Sequence, residues 1–284
     1  MRLAATLGIA FLAAGHSDVT VGKAAPRLVE VVATDYAFQI PTNLPAGPTT
    51  FRFSNKGIHK HELNIFLLRP GVTVTQVLEL QRAGKSTKDL VEAPLGVLFV
   101  SKKEPNAPAT LTTNLLPGRQ YGVICILRDS AKATRHFDLG MYSTISVENK
   151  PAASQSLSRA DVVVGMDYAF DYPRTLPPGK HSFSFRNSGK QRHEMSITLL
   201  KPGVTLAKII EVDKVDGDID PLIDKGMGLL WARGGGESLA RLEFELLPGR
   251  EYMVDCGFQD DDKSPPHYKL GMYGSIRVSG KPRG

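Results

Sequence analysis

Both cysteines of this 284-residue chain, four of its seven histidines and two of its methionines occupy matching positions in its two halves. The first set is His61, Cys125, His136 and Met141, and the second set is His193, Cys256, His267 and Met272. Two imidazoles, one thiolate and one weak thioether are the donors of a trigonal His2Cys copper site with a long axial methionine. The thiolate and thioether favour Cu(I) and the imidazoles tolerate Cu(II), so this donor set suits one-electron transfer. The sequence therefore predicts up to two copper ions per chain.

Other interpretations of the same residues remain open at this level. Each cysteine could be a small buried hydrophobe, each methionine a core residue and each histidine a turn residue in a fold without metal. The two cysteines could form a disulfide, since exported proteins often pair theirs. Zinc accepts Cys and His ligands but is poorly suited to Met. Copper is favoured because all four positions keep their register twice, whereas the intervening loops ILRDSAKATR and GFQDDDKSPP differ almost completely.

The register comes from an internal duplication. The segments DYAF, LPAG and FRFSNKG at Asp35, Leu44 and Phe51 return as DYAF, LPPG and FSFRNSG after an offset of 132 residues. Short alternating runs such as HSFSFRN and GSIRVSG have the period of half-buried strands, and Pro-Gly and Asn-x-Gly turns separate them. Thr73–Gly84 and Thr205–Gly217 have helical spacing after a Thr cap. Each half is thus predicted to be an antiparallel β-sandwich with a short helical insertion.

The chain is long enough for two ordinary domains. Residues 150–159 are polar and contain proline without an apolar period, which is typical of a linker. The predicted domains are therefore residues 27–149 and 160–284. A basic start at Arg2 and the short apolar run Leu3–Gly15 predict a signal peptide within residues 1–25, too short to span a bilayer. We expect a protein exported to the periplasm or the extracellular space, with no stable membrane insertion after cleavage.

The bulk composition excludes some function classes. The 42% hydrophobic and 23% charged content is that of a globular protein. The formal charge of +6 is spread along the chain without a dense basic block or interleaved aromatic residues. This pattern argues against nucleic-acid binding. The composition does not indicate the oligomeric state of the protein.

The chain resembles the cupredoxin, or blue copper, family over both repeats. PGRQYGVIC and PGREYMVDC are similar to the family's strand leading to the copper cysteine, and HFDLGM and HYKLGM are similar to its plastocyanin-type His-x4-Met. This resemblance implies an all-β chain of two tandem Greek-key sandwiches, a type 1 copper site made by each of the two sets above, and redox partner proteins. Two features differ from the family. Ten residues separate each cysteine from the next histidine, and Glu62 and Glu194 stand where Asn is common.

Carriers and enzymes are both found among two-domain relatives of this kind. The oxidases and copper nitrite reductases of the family carry extra histidines beside the copper cysteine, whereas Ile124 and Ile126 flank Cys125, and Asp255 and Gly257 flank Cys256. The only His-x-His is at His59, and Gln191 replaces it in the second half. The sequence therefore favours a copper-binding electron carrier over a copper oxidoreductase or a metal-free interaction module.

The loops between cysteine and histidine differ in charge. Residues 126–135 carry three cations and one aspartate, a sum of +2, and residues 257–266 carry three aspartates and one lysine, a sum of −2. Opposite charges of this kind can steer different partners. The two sites could meet different partners, the two loops could face each other, or both could be ordinary solvated loops.

Overall fold

The computed structural model describes residues 25–150, 157, 159–261 and 263–280. The predicted signal peptide, apart from Ala25, lies outside the described residues, and so do most of the predicted linker and Asp262. The predicted domain boundaries stay a prediction. Within the described ranges, no helix is both long and apolar enough to cross a bilayer.

Residues 25–150 form nine strands and one α-helix. They are β1 (Arg27–Thr34), β2 (Ala37–Gln39), β3 (Asn43–Leu44), β4 (Gly47–Asn55), β5 (His61–Leu68), α1 (Val74–Arg82), β6 (Val91–Val100), β7 (Thr110–Leu115), β8 (Gln120–Ile124) and β9 (Tyr142–Val147). One layer has the order β7-β4-β1-β2 and the other has the order β6-β5-β8-β9-β3. Alternate residues of β4 are buried between the layers, among them Phe51 and Phe53. This confirms the predicted sandwich.

The second half repeats this arrangement strand for strand. Its elements are β10 (Asp161–Met166), β11 (Ala169–Asp171), β12 (Thr175–Leu176), β13 (Gly179–Asn187), β14 (His193–Leu200), α2 (Leu206–Asp213), β15 (Ile223–Ala232), β16 (Ala240–Leu246), β17 (Glu251–Asp255) and β18 (Tyr273–Val278). The expectation of purely antiparallel sheets is wrong at four pairs: β1 with β4, β3 with β9, and their counterparts β10 with β13 and β12 with β18 are parallel. Each parallel pair joins strands from separate parts of the half, which local alternation does not reveal.

The predicted helical insertions are confirmed. Thr73 caps α1, its hydroxyl oxygen accepting the N–H of Gln76, while the Gln76 side chain accepts the N–H of Thr73. This reciprocal capping box satisfies two amide groups that a helix start would otherwise leave without partners. Thr205 occupies the same position before α2 but makes no side-chain cap hydrogen bond.

The two sandwiches are fused through their sheet edges. β7 pairs with β16 and β6 pairs with β15, both antiparallel, giving one eight-stranded and one ten-stranded sheet that run through both halves. Val97 pairs with Leu229, and Leu111 pairs with Leu242. These partners are also counterparts in the sequence repeat, at offsets of 132 and 131 residues. The halves are therefore related by a local two-fold axis, the symmetry of an isologous dimer.

Glycine allows the close approach at this junction. Gly96 and Gly228 have φ of 153° and 131°, and a Cβ on Gly228 would lie 2.8 Å from the Val97 carbonyl oxygen. A Cβ on Gly96 would lie 2.9 Å from the Leu229 carbonyl oxygen. A side chain at either position would therefore force the two halves apart.

Candidate metal centre

The sandwich brings together three of the four predicted ligands of the first set from separate elements. His61 is the first residue of β5, Cys125 follows β8 directly, and His136 begins a short 3-10 helix, His136–Leu139. The Nδ1 atoms of His61 and His136 lie 3.2 Å apart, and the Cys125 Sγ lies 3.4 Å from the His136 Nδ1. All three residues are buried. The sequence prediction that these residues converge is confirmed.

The second set has the same arrangement. The Nδ1 atoms of His193 and His267 lie 3.0 Å apart, and the Cys256 Sγ lies 3.9 Å and 3.4 Å from them. Among the described residues, these two trios are the groups of three or more Cys, His, Asp or Glu side chains placed to hold a metal ion. Both cysteines are free thiols, so the disulfide interpretation is wrong.

The two methionines lie at the predicted places in the chain. Met141 and Met272 each follow the 3-10 helix of their half and are fully buried. The Met272 methyl carbon would lie 3.4 Å from a Cβ on Gly165, so this side chain reaches across to β10. Their role as axial ligands remains a prediction.

Backbone hydrogen bonds fix the two ends of each ten-residue loop. In the first half the N–H of Cys125 donates to the carbonyl of Met141, and the N–H of Met141 donates to the carbonyl of His136. The N–H of His136 donates to the carbonyl of Leu127, and the corresponding bonds recur in the second half at Cys256, His267 and Met272. The loop length therefore does not loosen the ligands, because the segments that carry them are tied to one another.

The donor set fits a metal ion that accepts nitrogen and sulfur. Ligand atoms bound at about 2.0 to 2.3 Å to one ion lie roughly 3 to 4 Å apart. The histidine–histidine pair of each trio and the pair of each cysteine with its second histidine lie 3.0–3.4 Å apart. Burial lowers the pKa of His61 to about 4, so its imidazole is neutral at pH 7. Burial also raises the pKa of each thiol, Cys125 and Cys256, to about 12. Metal binding must therefore displace a thiol proton.

A buried glutamate braces each cysteine. The Glu62 carboxylate accepts the N–H of Ile126 at 3.1 Å, and the Glu62 N–H donates to the Cys125 Sγ at 3.4 Å. Glu194 makes the same two contacts with Gly257 and Cys256, at 3.0 and 3.4 Å. Burial raises the pKa of both glutamates to about 7. The position at which the family commonly carries Asn thus retains a bracing side chain.

An aspartate and a tyrosine cover the second histidine of each site. The Asp129 carboxylate lies 3.0 Å from the His136 Nε2 and accepts the Tyr36 hydroxyl at 2.6 Å. The Tyr36 ring meets the His136 ring edge-on, with centroids 5.1 Å apart. A histidine that donates through Nε2 keeps the lone pair of Nδ1 free for a metal. The carboxylate therefore orients the ring and selects its tautomer.

The second site has the same cover, formed by Asp260 and Tyr168. Asp260 lies 3.1 Å from the His267 Nε2 and accepts the Tyr168 hydroxyl. Tyr36 and Tyr168 have φ of 64° and 62°, a backbone conformation that is uncommon for such residues. Backbone strain at the same position of both repeats is consistent with a functional role for these tyrosines.

The roles of these covering and bracing residues were not predicted from the sequence. Their positions nevertheless keep the repeat offsets, because Tyr36 matches Tyr168, Glu62 matches Glu194 and Asp129 matches Asp260. Their repeat register was the signal that could have found them. His59, which Gln191 replaces in the second half, also belongs to the first site. Its Nδ1 lies 2.9 Å from Asp129, and its ring stacks on Tyr36.

No family model and no curated protein matches the chain in sequence. Solved structures similar to it include a reduced auracyanin from Roseiflexus castenholzii, with 20% identity, a TM-score of 0.29 and coverage of 44% of this chain and 99% of that one. Auracyanin A, a blue copper protein from Chloroflexus aurantiacus, has 19% identity and a TM-score of 0.30 over 44% of this chain and all of that one. A copper nitrite reductase from Nitrosomonas europaea has 14% identity and a TM-score of 0.25 over 92% and 97%.

The strand order, the buried histidine and cysteine trios and the methionine after each 3-10 helix are those expected of a cupredoxin-like fold. The chain is thus built as two cupredoxin-like sandwiches with one copper-like site in each half. Nothing among the described residues adds a second kind of metal cluster to these two.

Proposed function

We propose that the protein is an exported copper protein that transfers single electrons through a type 1 site in each half. His61, Cys125, His136 and Met141 would hold one ion, and His193, Cys256, His267 and Met272 the other. Copper, when bound, supplies a one-electron couple between Cu(I) and Cu(II). The convergence of the ligand atoms of two histidines and one cysteine within 4.8 Å of one another in each buried trio carries this proposal.

The chain's own residues support fast electron transfer by holding the ligands in one geometry. The ligand side chains extend from sheet strands and from a 3-10 helix tied to the cysteine by backbone hydrogen bonds. Burial excludes water from both trios, and the aspartate and glutamate contacts fix ring and thiol orientation. A site that does not rearrange lets an ion change its oxidation state at small cost.

The test is copper loading followed by visible absorption spectroscopy and metal analysis. We expect two copper ions per chain and an intense thiolate-to-Cu(II) absorption band. Cys125→Ser and Cys256→Ser should each remove the part of the absorption band that comes from the copper ion at the substituted site. The double variant should be colourless. Protein that binds no stoichiometric copper, or a band that survives the double substitution, would refute the proposal.

An electron carrier differs from an oxidoreductase because it does not catalyse repeated conversion of a substrate such as oxygen or nitrite. The copper-loaded protein should show reversible reduction and reoxidation with small redox reagents, without sustained consumption of oxygen or nitrite when a reductant is supplied. Sustained consumption that Cys125→Ser or Cys256→Ser abolishes would instead establish the oxidoreductase alternative.

A further inference from the structure

A basic cleft lies at the junction of the two halves. It has a volume of about 840 Å³ and is bordered by the segment after α1, by the segment just before β14 and by the loop after Cys256. Its cations are Lys85, Lys88, Arg135, Lys190, Arg192 and Arg233. Among the described residues, its carboxylates are Asp260 and Asp261, so the described lining has an excess of four positive charges.

These six cations make no ion pair with any carboxylate of the described residues, although Asp260 and Asp261 border the same cleft. Arg135 donates to the carbonyl of Gln81, and Arg233 donates to the carbonyl of Val91. Desolvation lowers the pKa of Arg233, and the nearby guanidinium groups of Arg69 and Arg192 lower it further. Asp89 acts on Arg233 and Glu194 on Arg192 through space. Among the described residues, the lining of the cleft keeps an excess of positive charge that no direct ion pair neutralises.

The local two-fold axis provides an internal comparison. Each of the six cations has a counterpart in the opposite half. The pairs are Lys85 with Gly217, Lys88 with Asp220, Arg135 with Pro266, Lys190 with Ile58, Arg192 with Lys60 and Arg233 with Ser101. A smaller cleft of about 280 Å³ lies there and contains Lys60, Glu104 and Asp220 as its charged residues. Five of the six cations are therefore specific to one side of an otherwise repeated junction. A fold requirement would apply to both sides, so the basic side has a different explanation.

The cleft also reaches both copper-like sites. Arg135 immediately precedes His136 of the first site. Gly257 immediately follows Cys256, and Asp260 contacts His267 of the second site. The two oppositely charged loops predicted from the sequence thus border one cleft. The cleft is therefore lined by direct sequence neighbours of His136 and of Cys256.

We propose that this cleft docks an acidic polypeptide segment, the contact surface of the redox partner. The inference deepens the proposed electron-transfer function and, as an assignment of a redox partner, rests on it. Clustered carboxylates would pair with the unpaired cations and be steered toward the cleft by its field. Trp231 and Phe258 line the cleft, with their ring centroids 6.2 Å apart, and the Arg192 guanidinium lies 4.0 Å from the Phe258 centroid. They offer apolar contact between the charges.

Trp231 is the single tryptophan of the chain and provides a direct signal. The full chain, both copper-free and copper-loaded, is titrated with a hexaglutamate peptide while Trp231 fluorescence is followed. We expect a saturable change that weakens as salt is added, because screening shortens the range of the attraction. A hexalysine peptide should give no saturable change. Binding to copper-free protein separates this inference from the proposed function, which the copper spectra test.

Charge reversal at exposed lysines tests whether the hexaglutamate peptide binds in the cleft. The triple variant Lys85→Glu, Lys88→Glu and Lys190→Glu should weaken hexaglutamate binding by at least about tenfold. The matched control Lys102→Glu, Lys103→Glu and Lys201→Glu has the same change in net charge at exposed positions outside the cleft. It should change the affinity by less than about threefold.

Three results would overturn the proposal. One is the absence of any saturable hexaglutamate signal. Another is an equal loss of affinity in the two triple variants, which would mean that net charge alone drives binding. The third is displacement of the peptide by citrate at a matched carboxylate concentration, which would identify a site for small anions.

Discussion

Asp129 Oδ1 lies 3.0 Å from Nε2 of His136, whose Nδ1 faces the other ligands of the first site. The Asp129 side chain is about one-third exposed, and the His136 side chain is buried. A carboxylate thus stands between a ligand histidine and the solvent. Its negative charge stabilises the more positive oxidation state of an ion held on the other side of the ring.

Removal of that charge should raise the reduction potential of the first site. In Asp129→Asn the amide oxygen can still accept from Nε2, so we expect copper to bind while its potential rises by on the order of 60 mV, a tenfold change for a one-electron couple. Spectroelectrochemical titration measures this. Asp260→Asn is the matched variant and should shift only the second site. An unchanged or lowered potential would contradict the expected charge effect.

Glu62 should matter as a hydrogen-bond acceptor more than as a charge. Glu62→Leu removes the acceptor for the Ile126 N–H, and we expect copper affinity at the first site to fall about 10- to 100-fold, as for other residues that orient ligands. Glu62→Gln keeps an oxygen acceptor and should retain most of the affinity. Competition with a copper chelator measures both. Equal loss in the two variants would show that the charge is the important property.

Met141→Leu tests the axial role proposed for the methionine. Leucine is similar in volume and also suits the buried position, so the fold should be kept. Loss of the weak thioether ligand should leave the visible band in place but raise the reduction potential of the first site. Met272→Leu should do the same at the second site. Identical spectra and potentials in variant and parent would mean that the methionine is only a core residue.

Gly228→Ala tests the close approach of the two halves. Its φ of 131° and the carbonyl oxygen 2.8 Å from the added Cβ predict a loss of about 1–3 kcal/mol in the free energy of unfolding. Gly226 lies two residues earlier in β15 and has no atom within 4 Å of an added Cβ. Gly226→Ala should therefore change the stability by no more than about 0.5 kcal/mol. Urea denaturation compares them, and equal losses would exclude the junction as the cause.

The repeat register and the ligand chemistry made much of the site predictable. His61, Cys125 and His136 were placed together from their residue types and their repeat register, and the helix after Thr73 followed from apolar spacing and a cap. Local alternation predicted strands because one face of each is buried. These features depend on neighbouring residues or on a donor set that few other functions share.

The features of the fold and the site that were not predicted from the sequence depend on contacts between distant residues. The parallel pairing of β1 with β4 and the fusion of β6 with β15 join surfaces that no local pattern identifies. Asp129 lies in a loop whose sequence diverged between the halves. Its match with Asp260 could have singled it out, but its contact with His136 depends on how the loop folds. The bracing role of Glu62 was hidden by its charge, because buried glutamates are rare.

The pairing of counterpart residues Val97 and Leu229 also bears on how the two halves could diverge. In a dimer of identical subunits, every substitution appears twice, so both symmetry-related clefts must change together. Two copies on one polypeptide are freed from that restriction, and their association no longer depends on protein concentration. Because the two copies could change independently, one side of the junction carries a basic cleft and the other a small acidic one. An acidic partner would therefore be attracted to only one side of a nearly symmetric protein.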